Sequence, residues 1–130
     1  MSSAHKPTVI VLDDDLSVCR ALKLQLEILS FNVLVFHSAE ELLGGEIPSE
    51  SVCLLADVYL PGMDGASLYR HMSAHGPKVP TILMSGRDDQ RTARLMGEAK
   101  PVARLFKPFD QRTLLRAIRK ALRAGSRRRS

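Results

Sequence analysis

Val9-Ile10-Val11-Leu12-Asp13-Asp14-Asp15 is a short apolar run that ends on three consecutive carboxylates. Such a run, too short for a helix and without polar alternation, reads as a strand buried on both faces of a parallel sheet. Three later stretches repeat the design. Leu54-Leu55-Ala56 runs into Asp57, Ile82-Leu83-Met84 into Ser85, and Val102 to Phe106 into Lys107-Pro108. In an open parallel α/β sheet the strand C-termini share one edge, and ligands bind in the crevice beside it. Four polar strand ends therefore converge there. Clustered carboxylates repel unless a cation joins them; with a hydroxyl and an ammonium they describe a site for a divalent metal and a phosphoryl group.

Outward from this stretch, strand and helix patterns alternate, which predicts a doubly wound α/β fold of five strands and five helices. Val9–Leu12 is the first strand. Asp14 or Asp15 is placed to cap the helix that follows, whose stripe is Cys19, Leu22, Leu26 and Leu29. Asn32 opens a second strand through Phe36. Ser38-Ala39-Glu40-Glu41 matches a capping box, with Ser38 on a helix-start N–H and Glu41 reaching back to the cap's own N–H. Gly44-Gly45 and Pro48 keep that helix short. After the third strand, Val52–Ala56, Asp64 is a cap for a helix through Leu68 and Met72 that Gly76-Pro77 ends. The fourth strand is Thr81–Met84. Asp89 to about Glu98 reads as a weak, polar helix interrupted by Gly97. The fifth strand is Val102–Phe106, and Asp110 caps a last helix with Leu115, Ile118 and Leu122 inward and arginines outward.

Size and composition set the frame. At 130 residues the chain is one domain, with a core that needs neither disulfide nor structural metal. No apolar run approaches the roughly 20 residues of a membrane span, and Met1–Pro7 lacks the apolar segment of a secretory signal; the expected compartment is the cytoplasm, with no membrane partner. Cys19 and Cys53 fit neither a disulfide framework nor a CxxC pair, and read as small core residues. The net charge of +5 is unevenly spread. Eight of the 19 basic residues and none of the 14 acids lie in 111–130, so residues 1–110 carry −3. This basic end reads as a solvated helix face and a tail over 125–130. Without interleaved aromatics or a recognition helix, no direct nucleic-acid binding is expected.

The pieces VIVLDDD, LLADVYLPGMDG, ILMSG and LFKPF, in this order and spacing, make residues 8–124 resemble the receiver domain of two-component response regulators. That resemblance implies a flavodoxin-like sheet of order 2-1-3-4-5 between an N-terminal tail (1–7) and the basic C-terminal tail. It implies that Asp57 is the phosphoacceptor of a phosphorelay. Asp13, Asp14, Asp57 and the backbone carbonyl of Tyr59 then hold Mg²⁺, with Asp14 as main direct ligand, Asp13 acting through water and Asp15 left as helix cap. Ser85 and Lys107 bind the phosphoryl group, and a cis Lys107-Pro108 bond aims Lys107 into the crevice. The implied partners are a sensor histidine kinase or histidine phosphotransfer protein and an unidentified downstream protein or output domain. The chain would work as a monomer or a weak, phosphorylation-linked dimer, and would be a signalling phosphoacceptor rather than an enzyme.

Departures from the family pattern are specific. Arg104 occupies the position where many receivers carry a switching Tyr or Phe, and is expected in solvent or paired with an acid. Lys100-Pro101 replaces a Gly-Ala ahead of the fifth strand. Tyr59 and Arg87 occupy the two positions that in the family influence phosphate lifetime, and a ring and a cation there would shield the phosphate from water. Two alternatives stay open. A pseudo-receiver would be an interaction module that never takes phosphate. A haloacid-dehalogenase-like phosphatase would use Asp13, in Asp13-x-Asp15, as its nucleophile.

Overall fold

A computed structural model describes residues 6–48, 52–76 and 78–129, without the side chains of 126–129. Its elements are β1 (Thr8–Leu12), α1 (Leu16–Ile28), β2 (Asn32–Phe36), α2 (Ala39–Leu43), β3 (Val52–Asp57), α3 (Gly65–His75), β4 (Thr81–Ser85), α4 (Gln90–Ala99), β5 (Ala103–Phe106) and α5 (Gln111–Arg129). All strand pairings are parallel, in the order β2-β1-β3-β4-β5.

Strand alternation divides the core in two. Ile10, Leu12, Leu54, Ala56 and Leu83 pack with Leu42, Leu68, Met72 and Met96 from α2, α3 and α4. On the other face Val9, Val11, Cys53, Leu55, Ile82 and Met84 pack with Cys19, Leu22 and Leu26 of α1 and Leu114 and Ile118 of α5. Because helices cover both faces, the central strands β3 and β4 are buried along their whole length, which is why they read as unbroken apolar runs. The edge strand β2 is only partly covered.

Local chemistry sets the helix starts. Asp15 accepts the N–H groups of Ser17 and Val18, Asp64 that of Ser67, and Asp89 that of Thr92. Asp110 takes the Thr113 N–H at the start of α5. In the capping box Ser38 accepts the Glu41 N–H at 3.0 Å as expected, but Glu41 reaches one residue further back, to the His37 N–H at 2.7 Å.

Three further expectations need correction. Gly97 does not interrupt α4; a side chain there would meet open space, so the glycine fills no packing role, and the helix continues to the left-handed Lys100 (φ 54°). In α5 the fully buried stripe is Leu114, Ile118 and Ala121, while Leu115 and Leu122 are only half-buried. Both still pack against the core on that face, and Leu115 also borders, with Arg112, Arg116, Arg119 and Arg123, a surface groove of about 350 Å³. The helix also passes Gly125, where a tail was expected, and reaches Arg129. Gly125 is a point of close approach, since an added Cβ would sit 3.1 Å from the Pro80 side chain. Residues 1–5 of the expected N-terminal tail lie outside the described residues. No helix among the described residues is long and apolar enough to cross a membrane.

Candidate phosphoryl-acceptor site

The register carries the strand-end residues onto one edge. β1 and β3 align Leu12 with Ala56, β3 and β4 align Asp57 with Met84, and β4 and β5 align Ser85 with Phe106. Asp13, Asp57, Ser85 and Lys107 therefore sit at or just past the same end of four strands. The Lys107 N–H donates to the Ser85 carbonyl at 2.7 Å, which continues the β4–β5 ladder into the site. The Lys107-Pro108 bond is cis, as the resemblance implies.

At the centre lies one ammonium between two acids. Lys107 Nζ donates to Asp57 Oδ2 at 2.6 Å and to Asp13 Oδ2 at 2.8 Å. The remaining carboxylate oxygens are tied to backbone: Asp57 Oδ1 accepts the Tyr59 N–H at 2.7 Å, and Asp13 Oδ1 accepts the Asp15 N–H at 3.0 Å. Asp13 is 1% exposed and Asp57 8%, so little water screens the group. Burial raises the Asp57 carboxyl above the usual range, and the repelling charge of Asp13 adds to this, while Lys107 and the Tyr59 N–H act the other way. Burial also works against the Lys107 charge, yet its bonds to Asp13 and Asp57 overcome that and raise its pKa. Two carboxylates on one ammonium leave a net charge of −1.

The Asp triplet divides its labour. Asp13 turns inward, Asp14 is exposed at the rim, and Asp15 caps α1 with bonds of 2.9 and 3.3 Å to Ser17 and Val18. Ser85 is fully buried; its Oγ accepts the Arg87 N–H at 2.9 Å, which leaves the hydroxyl hydrogen to donate. Arg104 is exposed and forms no ion pair among the described residues.

Chemically the site is a hard-oxygen set. Among the described residues no three His, Cys, Asp or Glu side chains cluster closely enough to form a metal site by themselves. Magnesium typically takes one or two carboxylates, keeps several waters and accepts a substrate phosphate oxygen rather than a closed protein cage. Asp13 and Asp57, already gathered on one positive charge, fit such an ion, with Asp14 beside them.

The model of the response regulator receiver domain matches residues 9–119. The chain belongs to the response regulator receiver family. The response regulator protein TodT of Pseudomonas putida is 34% identical over 128 residues, 98% of this receiver and 56% of that protein. The transcriptional regulatory protein FixJ of Azorhizobium caulinodans is 32% identical, over 88% of this chain and 54% of its own. Among solved structures, the response regulator StyR aligns with a TM-score of 0.85 at 35% identity, covering 96% of this receiver and 63% of that chain. The receiver thus spans about half the length of these curated relatives.

One part of the site was not legible from the receiver motifs. Tyr59 reaches beyond the acid pocket: its hydroxyl lies 2.6 Å from Thr92 Oγ1 in α4, and the Arg87 guanidinium stacks 4.5 Å from its ring centre. Sequence reading singled out Tyr59 and Arg87 but not Thr92, which looked like one more polar residue of a weak helix.

Proposed function

We propose that this receiver accepts a phosphoryl group on Asp57 from a histidine kinase or histidine phosphotransfer protein in the cytoplasm, in a magnesium-dependent reaction. The observation that carries this reading is the Lys107 ammonium shared by Asp13 and Asp57. In the transfer, an Asp57 carboxylate oxygen attacks phosphorus. The new P–O bond forms as the donor's bond to phosphorus breaks, and the bonding pair leaves with the donor. Such transfer is governed by positioning and charge neutralisation rather than by a strong base. The Tyr59 N–H and Lys107 fix the carboxylate, and Lys107 then turns from Asp57 Oδ2 to the phosphoryl oxygens. Ser85 donates its spare hydrogen to one of those oxygens, drawing the loop after β4 inward.

Magnesium, when bound, offsets the charge gathered between donor and acid pocket. Asp13, Asp14, Asp57 and the Tyr59 carbonyl are the residues that would hold it. The phosphorylated state biases an equilibrium between two arrangements of the α4, β5 and α5 face rather than creating a new fold. The receiver is a signalling switch that transforms only itself.

Asp57 is favoured over Asp13 as the nucleophile because it is the more accessible, Asp13 being almost fully enclosed. Mass spectrometry after incubation with acetyl phosphate and Mg²⁺ tests the reading. One added phosphoryl group is expected on Asp57, absent in Asp57→Ala and still formed, more slowly, in Asp13→Asn. An adduct retained in Asp57→Ala and lost in Asp13→Asn transfers the nucleophile to Asp13 and sinks the proposal. A wild-type chain with no adduct at all returns it to a pure interaction module.

A further inference from the structure

We propose that Tyr59 couples the acid pocket to α4: its backbone holds the Asp57 carboxylate while its phenol, through Thr92, holds the first turn of the helix. The coupling to phosphate rests on the phosphoacceptor reading, but the latch itself does not.

The bonding has a direction. Thr92 Oγ1 lies 2.6 Å from Asp89 Oδ1, and a carboxylate can only accept, so the single Thr92 hydroxyl hydrogen is spent there. The 2.6 Å contact between Tyr59 and Thr92 then has one solution, with Tyr59 O–H donating to Thr92 Oγ1. Tyr59, Thr92 and Asp89 form a one-way chain ending at the residue that caps α4 through the Thr92 N–H. Thr92 is fully buried, so loss of a partner there is not made good by solvent.

The ring adds a second hold. Arg87, from the loop before α4, and Arg91, in its first turn, place guanidinium carbons 4.5 and 5.4 Å from the Tyr59 ring centre. Arg87 is also bound through its N–H to Ser85 Oγ. A chain of contacts results, from Asp57 through Tyr59 and Arg87 to Ser85. A phosphoryl group on Asp57 disturbs it at two points. It changes the carboxylate that accepts the Tyr59 N–H, and its added negative charge competes with the aromatic face for Arg87. Both effects loosen the start of α4.

Amide hydrogen exchange on the full 130-residue chain, read by mass spectrometry, tests this. Without phosphate, Tyr59→Phe and Thr92→Val are expected to raise exchange in Gln90–Ala99 several-fold while α1 stays at the wild-type rate. Thr92→Ser, which keeps the hydroxyl, should restore protection. Beryllofluoride with Mg²⁺ should raise α4 exchange in the wild type and add little in Tyr59→Phe. Equal α4 exchange in wild type and Tyr59→Phe, with the wild type still responding to beryllofluoride, overturns the latch alone. A wild type whose α4 is unchanged by beryllofluoride while exchange around Asp57 falls overturns the coupling alone; one unchanged throughout the chain overturns the phosphoacceptor reading with it.

Discussion

Asp13 and Asp57, at the ends of adjacent strands, are held to the same Lys107 ammonium at 2.8 and 2.6 Å. Among the described residues Lys107 is the sole counter-charge between two nearly enclosed carboxylates, so its removal leaves like charges facing each other. Lys107→Met keeps most of the side-chain volume and is expected to destabilise the receiver by about 3 kcal/mol, the scale for leaving a buried charge unpaired. Magnesium should restore much of this, because a dication can take the place of the ammonium. Urea unfolding of wild type and variant, with and without Mg²⁺, measures both effects. A variant as stable as wild type without metal contradicts this account of Lys107.

Asp57→Asn has the opposite expectation. With Asp57 neutralised, Lys107 and Asp13 remain as a balanced pair, and the repulsion between the acids disappears. Because the folded Asp57 pKa is raised, the native state binds this proton more tightly than the unfolded chain does. The ionised carboxylate therefore lowers stability at neutral pH, and the penalty fades as pH falls through its folded pKa. Asp57→Asn should therefore raise the Tm at pH 7. The gain should vanish in acid. Thermal melts across pH 3 to 8 read it directly, and a gain that persists unchanged at the acid end rules this cause out.

Much of the fold was legible because each central strand is a run buried on both faces, ended by the polar residue the site uses. The convergence of the strand-end residues was legible for the same reason, since parallel register turns sequence position into a shared edge. The harder cases have physical causes. Helix α4 buries only Thr92, Met96 and Ala99, so it presents no strong apolar stripe. Gly125 imitates a helix stop although it serves a close contact with Pro80. Periodicity also fixes the face a residue occupies but not its partner, and so could not join Tyr59 to a threonine on another element.

The Asp triplet offers a test of register. Asp15 caps α1, and its bonds to the Ser17 side chain and to the Val18 and Ser17 N–H groups hold its carboxyl below the usual range. A depressed folded pKa gives stability that is present above the unfolded value and lost as pH falls through the folded one. Asp15→Ala should therefore lower the Tm at pH 7, with the deficit shrinking below about pH 4. Asp14→Ala, at the exposed rim, should leave the Tm near wild type and weaken magnesium binding instead. Exchanged phenotypes would mean that Asp14 is the cap.

Gly65 is the position where the fold bears most directly on the chemistry. It opens α3, its N–H donates to the Val58 carbonyl at 2.9 Å, and an added Cβ would collide with the Asp57 carbonyl oxygen. The obstacle is backbone, which cannot swing aside as a side chain can, so Gly65→Ala must push α3 away from the end of β3. The expected cost is about 1–3 kcal/mol, the range for overpacking a well-filled interior. The strain falls on the proposed phosphoacceptor, so labelling of Asp57 by acetyl phosphate should slow even where the variant is fully folded. Gly97→Ala is the matched control, since a Cβ there meets open space and a helix interior favours alanine. It should be neutral or stabilising and label at the wild-type rate. Equal labelling by the two variants would mean that α3 moves without disturbing the acid pocket.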